Sequence, residues 1–388
     1  MGCPPLVGEV TVDRGRFLAI GFVIMCFNSL YQYSWNALEP LLMAGFKASI
    51  VQVALGFALF SIFSSLFQPV GGHFADRDGP RKVGIVASVL SALGFLGTYA
   101  SHSIYYFYVF WSMGSVGEGI LYGIAANMAM KWFRDRMGGF ATGIVSMGFG
   151  LGSAIANPFI SMAPNYGVVT LAIGLTEVAV LPILLWFSEY PTKLTGQRPG
   201  QVILTSRFWL IYASFVGAVV PLAVVSSELP VVGKELPQWE LVTLISVLPP
   251  LLSGGMRPFF GFIADRLGIL RTTLLLNVLL TIGAVLLWVG QVAASTVLIG
   301  FAGGGSMITL YFNVAGEVFG TRFSTVNSGI LYTGKALGGI LGSLVFALIY
   351  TISATWAMLF NTTLALIGVL ALLPVLPMTR STIKVRAR

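Results

Sequence analysis

The sequence predicts an all-α polytopic membrane protein of twelve transmembrane helices arranged as two six-helix pseudo-repeats. Three observations predict it. Of 388 residues, 56% are hydrophobic and only 9% charged, whereas a soluble domain carries about 25% charged residues. The apolar residues gather into stretches of about 20, each long enough to cross a hydrocarbon core. Short polar signatures recur at half the chain length.

In chain order the stretches lie near 17–41, 49–73, 83–102, 104–130, 138–162, 166–187, 207–229, 241–264, 271–291, 293–316, 324–350 and 353–377. They are about twice as long as a barrel strand and lack its alternation. Helices therefore satisfy the backbone in lipid. The first stretch is long and has no small-residue cleavage site, so no cleavable signal peptide is expected. The two cysteines, Cys3 and Cys26, make neither a disulfide framework nor a metal site. No cofactor and no metal are expected.

The net charge of +8 reads as topology. With the N-terminus placed in the cytoplasm, eighteen of the 22 Lys and Arg fall on that side, from Arg14 and Arg16 to Arg386 and Arg388. Only Lys47 and Lys234 fall on the other, and Arg257 and Lys335 lie within spans. This is the positive-inside bias, and it places both termini in the cytoplasm, with the cell inner membrane as the location. It also removes the reason to expect a nucleic-acid partner.

The repeat is visible in the loops. FQPVGGHFADRDGPRK follows the second stretch and MRPFFGFIADRLGILR runs out of the eighth. Pro69 and Pro258, Gly72 and Gly261, Asp76 and Asp265, Arg77 and Arg266, and Gly79 and Gly268 all stand 189 positions apart. Further on, WFRDRMGGFATGIVSMGFGLG (132–152) aligns with VFGTRFSTVNSGILYTGKALG (318–338) at an offset of 186, pairing Phe133 with Phe319 and Arg136 with Arg322. The chain thus divides into an N-terminal half (1–187), a linker (188–206) rich in Pro, Gly and polar residues, and a C-terminal half (207–388) ending in a short basic tail. Glycine permits a tight turn in these loops. Their acids can cap a helix N-terminus or pair with an arginine. Arg81 adds a further basic residue to the first loop. The small-residue spacings Gly148 to Gly152 and Gly334 to Gly338 read as close-packing helix seams.

Parallel six-helix repeats with G-x-x-x-D-R-x-G in both halves resemble the major facilitator superfamily. The resemblance covers the whole chain. It implies that the two loops latch the cytoplasmic ends of the halves together in an outward-open state.

Two lone cations set this chain apart. Arg257 and Lys335 sit deep in the eighth and eleventh stretches, where an ionised side chain costs about 2.5–3.5 kcal/mol on insertion scales. Arg257 precedes Asp265 by eight residues, about 12 Å along a helix, and Lys335 follows Arg322 by thirteen, about 20 Å. Both depths are near the midplane, where transporter sites lie between repeats. Their repeat counterparts are Gln68 and Phe149, so the framework does not require either charge. An anion that binds and leaves would account for both. An internal salt bridge is the alternative, with Glu118 of the fourth stretch or Glu177 of the sixth as partner. Glu118 lies at the depth of Lys335 and shares a helix face with Tyr122. It is left open as a charge partner, a proton carrier or a buried neutral acid.

MCFNSLYQYSW (25–35), GILYGIAANMAMKWFRDRMGGFATGIVSMGFGLG (119–152), STVNSGILYTGK (324–335) and MRPFFG (256–261) resemble the oxalate/formate antiporter family, which exchanges small carboxylates. The resemblance implies that Arg257, in its RP-x-x-G segment, and Lys335, in its YT-x-K segment, grip substrate carboxylates. It also implies an aromatic box to which Gln32, Tyr33 and Tyr122 contribute, with Phe149 and Tyr332 beside them. Arginine offers a planar fork that takes a carboxylate bidentately, and tyrosine hydroxyls donate while their rings exclude water. Phe149 stands where the family has a tyrosine. The tenth stretch carries Gly303 to Gly305 and Thr309 where bulky aromatics are expected, which implies a roomier pocket.

The expected function is secondary active transport of small carboxylate anions by a monomer, as exchange. Proton-coupled monocarboxylate symport with Glu118 as proton carrier is the alternative, since related symporters also carry an arginine in the eighth helix. An enzyme is not expected, because no metal cluster, nucleophile elbow or phosphate loop is present. A non-transporting carboxylate sensor would need an output domain, and a channel is at odds with duplicated rocking halves.

Overall fold

The computed structural model describes residues 13–134, 137–237 and 248–376, with the backbone alone at 36, 50, 51, 230 and 248–251. Cys3, Arg136, residues 241–247 of the eighth predicted stretch and the basic tail lie outside the described residues.

The first half runs α1 (Gly15–Gln32), α2 (Trp35–Phe46), α3 (Ile50–Asp78), α4 (Pro80–Ala100), α5 (Ile104–Phe133), α6 (Gly138–Ser161) and α7 (Tyr166–Trp186). The linker contains one short turn, α8 (Pro199–Val202). The second half runs α9 (Ser206–Ser227), α10 (Leu229–Val232), α11 (Leu248–Leu267), α12 (Ile269–Trp288), α13 (Val292–Ala302), α14 (Ile308–Phe319), α15 (Ser324–Ile340), α16 (Phe346–Ile352) and α17 (Ala354–Leu372). Single π-helical turns, Gly303–Met307 and Leu341–Val345, join α13 to α14 and α15 to α16.

Among the described residues nine helices are long and apolar enough to span a membrane, and α1 with α2 forms a bent pair. In chain order α5 and α11 fill the fourth and eighth places, and they carry Glu118 and Arg257. The first predicted stretch is therefore two helices meeting at 51°. The break falls at Tyr33–Ser34, and Pro40 lies one turn into α2, where it removes a backbone donor.

Local chemistry sets several ends. Ser49 and Gln52 form a reciprocal capping box at α3. Asn165 caps α7 and Thr205 caps α9 by accepting a backbone N–H. Gly79 and Gly268 take φ of 90° and 93° between the paired helices of each repeat, a backbone region that favours glycine.

The halves meet along two seams, α3 against α15 and α6 against α11. These are related by the repeat, so each half offers its second helix to the other half's fifth. Gly72 lies on the backbone of Thr325 and Val326, and Gly261 lies on that of Gly139 and Phe140. A β-carbon at either glycine would meet that backbone. Both contacts sit at the end of the bundle that carries the α3–α4 and α11–α12 loops, here called the basic end.

Candidate functional site

Arg257 is 2% exposed on α11. Its Nε donates to the Ser253 carbonyl at 2.9 Å, one turn back, and its Nη1 donates across the seam to the Ser146 carbonyl of α6 at 2.7 Å. Lys335, half-buried on α15, donates to Gln32 Oε1 at 3.2 Å and to Tyr332 Oη at 2.9 Å. Among the described residues the ion pairs are Arg16–Glu189, Arg77–Asp78 and Lys131–Asp76. Neither Arg257 nor Lys335 takes part in one.

Aromatic rings join the two cations. Tyr122 lies 5.5 Å, centroid to centroid, from each of Phe149, Tyr332 and Phe312. Tyr33 meets Phe149 edge-on at 5.0 Å, and its hydroxyl bonds Ser253 Oγ at 2.8 Å. The Arg257 guanidinium carbon is 5.4 Å from the Phe149 ring centre, and Lys335 Nζ is 5.1 Å from that of Tyr332. Such contacts favour a cation when it is desolvated. Gln32, Tyr33, Tyr122, Phe149, Arg257, Tyr332 and Lys335 thus form one continuous cluster. Gln32 is the last residue of α1 and Tyr33 its C-cap, so both stand at the break.

Sequence reasoning missed three members. Phe312 supplies the tenth span's aromatic, and its signal was one ring three residues beyond Thr309. Ser146 enters through its backbone carbonyl alone and Ser253 through its carbonyl as well as its hydroxyl, and no side-chain motif reveals a carbonyl. The space of the glycine run is also assigned differently: Arg257 itself occupies the volume next to Gly305.

Glu118 is buried on α5 and accepts a hydrogen bond from Ser64 Oγ at 2.6 Å. It is not in a salt bridge with Lys335. Glu177 is fully buried on α7, away from both cations' hydrogen bonds. Tyr31 and Trp35 pack with Trp111 in an aromatic cluster of the first half, outside the cation site.

The loop residues form two latches. Asp76 pairs with the buried Lys131 and accepts the backbone N–H of Val326 at 2.9 Å. Asp265 accepts the backbone N–H groups of Gly139 and Phe140, each at 2.8 Å. Phe140 and Val326 are the 186-offset repeat pair, so each acid caps the fifth helix of the opposite half. The arginines are not the partners: Arg77 bonds its neighbour Asp78 at 2.9 Å, Arg81 lies over Trp186 and Arg266 over Phe262.

The linker is tied at the same end. Glu189 bonds Arg16 and, through its carbonyl, Trp132 Nε1. Tyr190 covers Lys131, with Nζ 3.7 Å from its ring centre. Further along, Gly196 bridges Gly320, Gln197 N–H donates to the Phe319 carbonyl at 2.8 Å, and Asn327 reaches the Gln197 carbonyl. A cavity of about 380 Å³ opens beside this segment, lined by Arg134, Gln197, Asp265, Asn313, Glu317 and Thr321. It lies away from the cation cluster.

A family model for the Major Facilitator Superfamily matches residues 18–343. The chain belongs to that superfamily. It is a multi-pass membrane transporter and not an enzyme. The oxalate:formate antiporter of Oxalobacter formigenes is 30% identical over 363 residues, 87% of this chain and 85% of that protein. The "Uncharacterized 38 kDa protein in 23S RNA operon" of Thermoproteus tenax is 43% identical over 362 residues, 93% of this chain and 95% of its own. A variant of the E. coli fucose:proton symporter FucP matches with a TM-score of 0.72 and 14% identity, over 92% of this chain and 98% of that one. That likeness concerns the fold.

Proposed function

We propose that this superfamily member exchanges small carboxylate anions by alternating access, with Arg257 and Lys335 binding the carboxylates between the halves. The observation that carries the reading is the pair of intramembrane cations, Arg257 buried and Lys335 half-buried, neither in an ion pair among the described residues, at the two ends of one aromatic cluster. A bound dianion would neutralise both. Tyr33, Tyr122, Tyr332 and Gln32 would orient it, and the rings of Phe149 and Phe312 would keep water out. The relation to an oxalate:formate antiporter supports the same anion class. In this reading the halves, 1–187 and 207–388, rock about the site in a monomer, and the basic end with both termini and the 188–206 linker faces the cytoplasm.

Counterflow in liposomes tests the reading. Unlabelled carboxylate inside should accelerate uptake of labelled carboxylate across a series from formate to malonate. Arg257→Lys keeps the charge but loses the fork, so it should weaken binding by about 1.5–3 kcal/mol. Lys335→Gln should harm dicarboxylates more than monocarboxylates, which can use Arg257 alone. If Arg257→Gln and Lys335→Gln proteins fold and exchange as the parent does, the site is elsewhere.

A second reading, proton-coupled symport, is favoured by one observation: Glu118 is buried near the cluster with a single hydroxyl partner. In that case an inward pH gradient drives uptake and Glu118→Gln abolishes the dependence while sparing exchange. An equal pH response in variant and parent leaves Glu118 a structural residue.

A further inference from the structure

We propose that Gly305 is a positioning residue for Arg257. The glycine-lined π-turn of the tenth span is a seat for the guanidinium, and through it the turn sets carboxylate affinity. The inference rests on the carboxylate reading above and deepens it.

The π-turn Gly303–Met307 is wholly buried and meets α11 at two adjacent points. Gly304 lies against Ser253, and Gly305 lies against Arg257. A β-carbon on Gly305 would overlap Nε, Cζ and Nη2 of the guanidinium. The carbonyl of Ser253 takes Nε, the carbonyl of Ser146 takes Nη1, and Phe149 covers a further side. The Thr309 hydroxyl holds the turn by donating to the Gly305 carbonyl at 2.9 Å. An arginine carries five N–H donors. Two sites are committed to carbonyls, and among the described residues nothing accepts from Nη2. The fork is therefore fixed in place with donors left for an incoming carboxylate, the condition for tight, oriented binding.

The first half lacks the π-turn and the arginine, although Gly123 of α5 lies against Gln68 there. There Gly119 of α5 lies against Ser64 of α3, and Ser64 is the 189-offset counterpart of Ser253. The matching glycine contact in the second half is Gly304 on Ser253, an offset of 185 from Gly119. Past the turn the offset is 186, as for Phe133 and Phe319. One residue has been added within the π-turn, which is what a π-turn is. The added length falls opposite Arg257, in the half that has the arginine. In the first half α5 is a regular helix at this level, and Gln68 occupies the place of Arg257.

The test uses the full chain, purified and in liposomes, as parent, Gly305→Ala, Arg257→Lys and the Gly305→Ala/Arg257→Lys double variant. One arm needs no substrate: phenylglyoxal modification of Arg257, followed by peptide mass spectrometry. The other measures exchange of oxalate, malonate and formate. Expelled from its seat, Arg257 in Gly305→Ala should react about tenfold faster, and KM should rise about tenfold or more with saturating exchange largely kept. Lysine has no planar fork to seat, so Gly305→Ala should change KM by less than about twofold in the Arg257→Lys background. Unchanged modification and KM, or an equal penalty in both backgrounds, would overturn the proposal. If Gly305→Ala fails to fold, recovery in the double variant supports the seat. Failure of both overturns it, since the clash is then not with the guanidinium. A parent that exchanges none of these anions ends the carboxylate reading, while the modification arm still decides whether Gly305 seats Arg257.

Discussion

The Asp76 and Asp265 latches occupy equivalent places, yet they are built differently. Each acid caps the fifth helix of the opposite half, at Val326 in one case and at Gly139 and Phe140 in the other. Only Asp76 also has a buried cation, Lys131, whose side chain and that of Asp76 are 0% and 1% exposed. At the 186-offset position of Lys131 the second half has Glu317. The amide cap is thus the shared element, and charge neutralisation is an addition to one copy. Two amides hold Asp265 where a lysine and one amide hold Asp76. An ion pair taken out of water is costly to break by halves. The Asp76 latch should therefore be the harder to disturb one residue at a time, and the Asp265 latch the easier to release.

The largest expected effect is from Lys131→Met. It leaves Asp76 buried without its charge partner and should cost about 3–5 kcal/mol, read as a lowered melting temperature of the purified protein. Adding Asp76→Asn should recover much of that loss. A Lys131→Met protein as stable as the parent would break the comparison.

Asp265→Asn comes next. It keeps an acceptor oxygen for one of the two amides and loses the charge, a change of about 0.5–2 kcal/mol for a helix cap. The expected readout is a shift toward opening at the basic end, seen as faster labelling of a cysteine introduced at Asn313. Unchanged labelling would show that the cap does not hold the gate.

The smallest effect is expected from Glu317→Lys, which gives the second latch the charge of the first. At an exposed position the gain should be at most about 1 kcal/mol and should shrink in high salt. The same labelling should slow. Faster labelling would mean that Glu317 itself supports the closed arrangement.

Much of the architecture could be read from the sequence because lipid leaves few options. Apolar stretches of spanning length must be helices, and the observed helices follow the predicted stretches to within a few residues at most ends. The break at Tyr33–Ser34 was not legible, since an apolar stretch looks the same straight or bent. The seven expected members of the candidate site gather: Arg257 and Lys335 were legible because charge in an apolar helix is a rare and local signal, and the other five followed only from the resemblance to the oxalate/formate antiporter family. Their neighbours Ser253 and Ser146 hold Arg257 through carbonyls, which every residue has and which leave no mark in a sequence. Lys131 is one of the eighteen cations that the charge bias places on the cytoplasmic side. Its burial became evident only with the partner fixed, although its exchange for Glu317 across the repeat was visible. The glycine run at 303–305 implies a roomier pocket from sequence alone, whereas the arginine side chain fills the space beside Gly305.

The linker has a mechanical consequence. It is fastened to the first half at Glu189, through Trp132 and Arg16, and to the second half at Thr195, whose carbonyl accepts the Arg322 N–H at 3.2 Å. Six residue steps separate those anchors, and a fully extended chain spans at most about 3.3–3.6 Å per residue. The tether therefore has a reach of roughly 20 Å. A swing of the halves that draws these two points further apart than that has to unfasten one end, so the connecting segment acts as a stop that limits how far the basic end can gape while both fastenings hold.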